Sequence, residues 1–255
     1  MGVNMAKDHE GITVHTMNYV HQMGPVFYAS LPFGACDTEP ISGHQTNGDE
    51  ARHRLVSTLW DYLAVVESPL WQRSQYFNRG AFPIQVLRGP LGRPQLMLGE
   101  HQGPAISFSE SGGKVWAALC GDGSDIGIDV AGTNEFQREY PLHRVFHPQE
   151  LQHALKLAAE NLEMASALLW SIKEAVVKAL GCAFHLVDPR QITVYPTAGG
   201  WIGWNVGYIF QVGLSGKALM RFPLAAGQSL LVHSIPQRKM WLSIALLNRR
   251  AIVHE

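Results

Sequence analysis

The chain is poor in charge, and the charge it has cancels. Lys and Arg total 20 and Asp and Glu 21, so the formal net charge is −1 over 255 residues. A near-neutral chain sets up no strong field to draw in a polyanion, so neither nucleic acid nor an anionic membrane is an expected partner. A local basic pocket is compatible with that balance. Cysteine is scarce as well: Cys36, Cys120 and Cys182 are far apart and odd in number. That pattern argues against a disulfide framework and lacks zinc-site spacing. No apolar run approaches the roughly 18 residues that would suggest a membrane-spanning helix. The first residues lack a basic region followed by an apolar stretch, and Ala6 stands where a myristoylation motif needs Ser or Thr. The expectation is a soluble cytoplasmic protein.

What is present is apolar. Such residues make up 46% of the chain, enough for a substantial core in one large domain or two small ones. The pattern predicts a strand at 26–31 and loop over 32–47. A helix follows at 49–66, with Leu55, Leu59, Tyr62 and Leu63 as its apolar stripe. Arg52, His53 and Arg54 sit near its start, where cations oppose the helix dipole. They serve an anion or simply face solvent. Residues 82–87 and 115–120 read as strands. Gly121-Asp122-Gly123 reads as a hairpin turn with 126–130 as the return strand. Pro148 suits a first helical position, so a helix is expected at 148–157. A long helix spans 161–180, and strand-like segments follow at 191–195, 201–212, 217–222, 229–233 and 240–247.

Two stretches carry the chemistry. In Leu169-Trp170-Ser171-Ile172-Lys173-Glu174-Ala175-Val176-Val177-Lys178-Ala179-Leu180-Gly181, three charges fall within six residues of an otherwise apolar helix. Leu168, Leu169, Ile172, Ala175, Val176 and Ala179 recur at helical spacing and can face a core. Gly181 sits where a helix commonly ends in a left-handed residue. Glu174 and Lys178 are four apart with the acid first, the favoured order on one helix face. In isolation the ordinary reading is a surface ion pair flanking an amphipathic helix. The second stretch is Ile126-Gly127-Ile128-Asp129-Val130. An Asp between apolar strand residues needs a cation or hydrogen bonds to offset its burial.

Together, Gly-Ile-Asp-Val and, 45 residues on from Asp129 to Glu174, Trp-Ser-Ile-Lys-Glu-Ala-Val-Val-Lys resemble the signature of the 4′-phosphopantetheinyl transferase superfamily. The length is similar to that of its larger, single-chain (Sfp-like) members. The resemblance implies an α+β fold of two pseudo-symmetric halves, residues 1–124 and 125–255. Each half would be a helix packed on a small, mostly antiparallel sheet, with the active site in the cleft between them. It implies magnesium held by Asp129 and Glu174. Glu174 and Lys178 would be the catalytic pair. Coenzyme A phosphates would be gripped by Arg52, Arg93, Ser109, Ser111, Lys173 and Lys178. The implied partner is an acyl or peptidyl carrier protein of fatty acid, polyketide or nonribosomal peptide synthesis, and the default state is a monomer.

Further motifs extend the resemblance and depart from it. Gly92-Arg93-Pro94 is similar to a Gly-Lys-Pro turn of the family, and Arg can grip phosphate bidentately. Phe108-Ser109-Glu110-Ser111-Gly112 resembles the family's coenzyme-A-lining Ile-Ser-His-Ser-Gly, with Glu110 in place of His. A carboxylate near a phosphate is repulsive. Ala131 stands where many members carry a second metal acid, and Ala183 where many have Gly. Magnesium usually keeps several waters, so a water can replace that acid. Arg144-Val145-Phe146-His147-Pro148-Gln149-Glu150 resembles a further family element, in which Glu150 aligns with an active-site acid. It is equally an ordinary first-turn Glu. The departures admit another reading, a relative that binds coenzyme A or a carrier protein without transfer. A purely structural α+β protein is a third.

Overall fold

A computed structural model of the chain describes residues 6–9, 11–17, 25–32, 47–65, 83–121, 124–137, 140–196, 207–225 and 230–248. The chain divides into two compact units, residues 1–122 and 123–255.

The first unit contains β1 (Ala6–His9), β2 (Ile12–Met17), β3 (Val26–Pro32), α1 (Asn47–Val65), β4 (Ile84–Arg88), β5 (Pro94–Leu98), β6 (His101–Gln102), β7 (Ile106–Ser111) and β8 (Lys114–Cys120). Its main sheet has the order β1-β2-β3-β8-β7, all antiparallel, and β4-β5-β6 form a separate three-stranded sheet. The predicted stripe of α1 is the buried one. Leu55, Leu59, Tyr62 and Leu63 join Phe27, Ala29, Leu31, Ile106, Val115, Ala117 and Leu119 in one core. Most of the expected loop at 32–47 lies outside the described residues.

The second unit contains β9 (Ser124–Gly132), α2 (Pro148–Leu157), α3 (Leu162–Ala179), β10 (Ile192–Pro196), β11 (Tyr208–Leu214), α4 (Gly216–Arg221), β12 (Leu230–Gln237) and β13 (Met240–Asn248). Its antiparallel sheet runs β10-β11-β12-β13-β9. Asn161 caps α3, its side-chain oxygen accepting from the Met164 N–H at 2.7 Å. Every predicted core residue of α3 is buried. Gly181 closes the helix at φ 71°, the left-handed conformation expected of it.

Two expectations fail. Residues 115–120 and 126–130 do not form a hairpin. β8 belongs to the first sheet, and β9 pairs with β13 along its whole length, from Ser124 opposite Asn248 to Gly132 opposite Met240. The local turn signal loses to a nine-residue long-range ladder whose strand is buried throughout. Of the expected strand at 217–222, residues 217–221 lie in helix α4. Lys, Ala, Leu, Met and Arg are all strong helix formers, and the Gln191 side chain accepts from the Ala218 N–H at 3.1 Å. Of the expected strand at 201–212, residues 201–206 lie outside the described residues, and 208–212 fall in β11.

Candidate active site

β9 and α3 approach at Gly127. A Cβ there would stand 1.9 Å from the Ala175 carbonyl oxygen and 2.6 Å from the Ala179 nitrogen. One face of a strand repeats every second residue, so Asp129 and Ala131 follow Gly127 on the helix side. Asp129 is 7% exposed, and its Oδ1 accepts a hydrogen bond from Lys178 Nζ at 2.7 Å. The same ammonium donates to the Ile128 carbonyl at 3.0 Å. Lys178 is thus drawn from the helix face onto the strand acid.

Glu174 lies one turn before Lys178 and is half-buried. Burial raises its pKa to about 7, the negative charges of Asp129 and Glu135 push the same way, and Lys178 opposes them. Glu135 comes from the 3-10 turn Thr133–Phe136, where its Oε1 accepts the Gly132 N–H at 2.8 Å. Its own pKa is raised by burial and by Asp129, against the Gly132 hydrogen bond and Lys178. The Tyr140 hydroxyl is raised by burial and then by Glu135 and Glu174. Three acids therefore share one electrostatic neighbourhood with one ammonium. Ala131 is fully buried in the apolar core of this unit, a position that would not welcome a carboxylate.

This donor set fits magnesium in chemistry. Asp129 and Glu174 are hard oxygen donors, and three neighbouring acids against one ammonium leave the site short of positive charge. Magnesium is commonly held by one or two carboxylates, waters and substrate phosphates, without a full protein cage. Among the described residues no group of three or more His, Cys, Asp or Glu is placed to hold a metal by itself. A two-carboxylate site completed by phosphate is the form these residues allow.

Lys173 requires a correction. It was expected to assist at coenzyme A, yet its side chain is 0% exposed. Its three N–H donors go to Glu150 Oε1 at 2.6 Å, the Pro189 carbonyl at 2.9 Å and the Val145 carbonyl at 3.0 Å. An ammonium has three donors, so none remains for a ligand. Burial lowers its pKa, and the Glu150 charge opposes that shift. Glu150 is likewise structural. It accepts the His147 N–H at 2.8 Å and the Val194 N–H at 3.0 Å, besides Lys173. His147 Nε2 bonds the Arg190 carbonyl at 2.7 Å, so it serves the fold. Trp170 packs against Phe184 with ring centroids 4.9 Å apart and the ring planes tilted by 36°, at the edge of the core.

In the first unit, Arg52 stands where α1 meets β7. Its guanidinium bonds the Asp49 carboxylate at 2.8 Å and pairs with Glu110. Two acids thus take up the Arg52 charge. Side chains alternate along β7, which sends Ser109 and Ser111 to the face opposite Glu110. Ser109 is buried and Ser111 half-buried. Arg93 is half-buried in the turn between β4 and β5, just past the 3-10 turn Pro90–Gly92. The structure therefore brings together Asp129, Glu174 and Lys178, removes Lys173 from the set, and splits Arg52 from Ser109 and Ser111.

Glu135 and Tyr140 were missed by reading the sequence. The signal for Glu135 was available: Gly132-Thr133-Asn134-Glu135 places an acid three residues after a turn-starting residue, the geometry of a capping box. Tyr140 carries no comparable pattern.

Residues 125–203 match the family model of the 4′-phosphopantetheinyl transferase superfamily. The resemblance read from Gly127-Ile128-Asp129 and Lys173-Glu174 is borne out over that stretch. A Synechocystis sp. protein provisionally named a 4′-phosphopantetheinyl transferase is 32% identical over 99 residues, which are 38% of this chain and 40% of the relative. The match thus spans less than half of that relative's length. The solved Chronobacterium ammoniagenes ACPS–CoA complex superposes on 49% of this chain and 96% of its own, at a TM-score of 0.39 and 20% identity. The holo-ACP-synthase from Plasmodium yoelii does so on 48% and 91%, at 0.37 and 18%.

Proposed function

We propose that this protein transfers the 4′-phosphopantetheine arm of coenzyme A to a serine of an acyl or peptidyl carrier protein. The observation that carries the reading is the cluster of Asp129, Glu174 and Lys178, assembled between β9 and α3 inside the stretch that matches the superfamily. The serine oxygen attacks the β-phosphorus of coenzyme A as the bond to the leaving adenosine 3′,5′-bisphosphate breaks. Glu174 takes the hydroxyl proton as general base. Lys178, already held beside Asp129, supplies positive charge toward the phosphate oxygens. Magnesium held by Asp129 and Glu174 would neutralise charge on the pyrophosphate. Arg93, Ser109 and Ser111 are proposed to contribute to holding coenzyme A. For Arg52 that role requires the ligand to compete with Asp49 and Glu110.

The test is Glu174→Gln. The variant folds, because the amide keeps the shape of the carboxyl and loses only its charge, and it transfers nothing. Near-wild-type transfer by this variant sinks the assignment. Binding without transfer is the second reading, favoured by the Arg52–Glu110 pair and the buried Ala131. A wild-type protein that binds coenzyme A and never modifies a carrier would establish it.

A further inference from the structure

The Lys173–Glu150 pair is among the most deeply buried charge in the described residues, and it lies one residue from Glu174. A buried ion pair is weak evidence for stability, since its desolvation cost can exceed its attraction. Its geometry has a different consequence. From one point on α3, the Lys173 ammonium reaches the turn before α2 at Val145, the first turn of α2 at Glu150, and the segment before β10 at Pro189. Glu150 carries the same network onto β10 through the Val194 N–H. The ammonium also stands 5.5 Å from the Phe146 ring centroid. All these partners lie off one side of the helix. Rotating α3 about its axis would break several charge-assisted bonds in a dry interior, where each is strong.

Glu174 is the next residue, about 100° further round the helix, and Lys178 follows one turn on. The rotation that Lys173 fixes is the rotation that aims these two at Asp129. We propose that Lys173 is a positioning residue for Glu174: the buried Lys173–Glu150 clamp sets the rotation of α3 and through it the placement of the Glu174 carboxylate. This rests on Glu174 being the reacting acid, as argued above, and it gives the Lys-Glu dipeptide a division of labour. The Lys points inward to hold the helix, and the Glu points to the chemistry.

The test uses the full chain as Lys173→Met and as Lys173→Met/Glu150→Gln. The single variant leaves a buried carboxylate unpaired and loses heat stability; the double variant removes that charge and recovers much of the melting temperature. In the double variant kcat falls about tenfold or more, because a displacement of an ångström at the reacting group is costly. Its KM for coenzyme A stays within about twofold of wild type, since Lys173 touches no ligand. The Glu174 side-chain carboxyl carbon, followed by carbon-13 NMR at one fixed pH, moves in the double variant. Wild-type kcat in the double variant makes the clamp a brace for the fold alone and overturns the proposal. So does a raised KM with kcat kept, which would make Lys173 a ligand. An unmoved Glu174 resonance overturns it whatever the rates. If the wild type transfers nothing, the functional reading fails by itself, and the Glu174 resonance still decides the clamp.

Discussion

Gly127 of β9 and Ala175 of α3 are in backbone contact, so close that a methyl group on Gly127 would stand 1.9 Å from the Ala175 carbonyl oxygen. Neither neighbour is a flexible side-chain end that can swing aside. Gly127→Ala must push α3 off β9, which carries Lys178 away from Asp129. The expected loss is at least the roughly 1–3 kcal/mol of an overpacked core, seen as a lower melting temperature. A variant as stable as wild type would mean that β9 and α3 are not in contact at this point.

Glu174 gives the metal-free protein a pH dependence of definite sign. Its pKa is about 7 in the fold against 4.5 as the reference value. Between those values the native state binds the proton more tightly than the unfolded chain, so stability falls as pH rises from about 4.5 to about 7. His233 works the other way. Burial lowers its pKa to about 4, so stability falls on acidification below about 6.5. The two slopes oppose each other in the wild type, and the difference between wild type and Glu174→Gln isolates the first. Each pH unit between two pKa values is worth about 1.4 kcal/mol. In chelator at pH 8, Glu174→Gln is therefore more stable than wild type by on the order of 3 kcal/mol, an advantage that disappears near pH 4. Denaturant unfolding at the two pH values checks it, and a less stable variant at pH 8 contradicts it.

Glu110 competes for Arg52. Glu110→Gln removes one of the two carboxylates on the guanidinium and leaves Asp49. Fold stability changes by less than about 1 kcal/mol, as for exposed ion pairs. Coenzyme A binding, measured by calorimetry, tightens by about two- to fivefold, the equivalent of that same interaction. Unchanged binding would remove Arg52 from the ligand's surroundings.

Much of the architecture was legible because it is written in period. The Leu55, Leu59, Tyr62 and Leu63 stripe and the Leu168 to Ala179 stripe repeat at helical spacing, and both are buried as read. The Gly181 stop and the Pro148 start need no tertiary information. The partner of β9 was not legible. Pairing with β13 joins residues more than 100 positions apart, while Gly121-Asp122-Gly123 offers a nearer and misleading cue. α4 was misread because apolar and basic residues in a six-residue segment fit either period. At the site, Asp129, Glu174 and Lys178 announced themselves as charges in apolar runs. That Lys173 faces inward while its neighbour does not depends on where Glu150 lands, 23 residues earlier. The chain order says nothing of that.

The most direct test of the account is the intact mass of an apo acyl carrier protein after incubation with this protein, coenzyme A and magnesium. The account predicts a gain of one phosphopantetheine arm per carrier, abolished by a chelator and by Glu174→Gln. No gain on any of several carriers, with coenzyme A binding intact, would contradict transfer and leave a binding protein built on the same site.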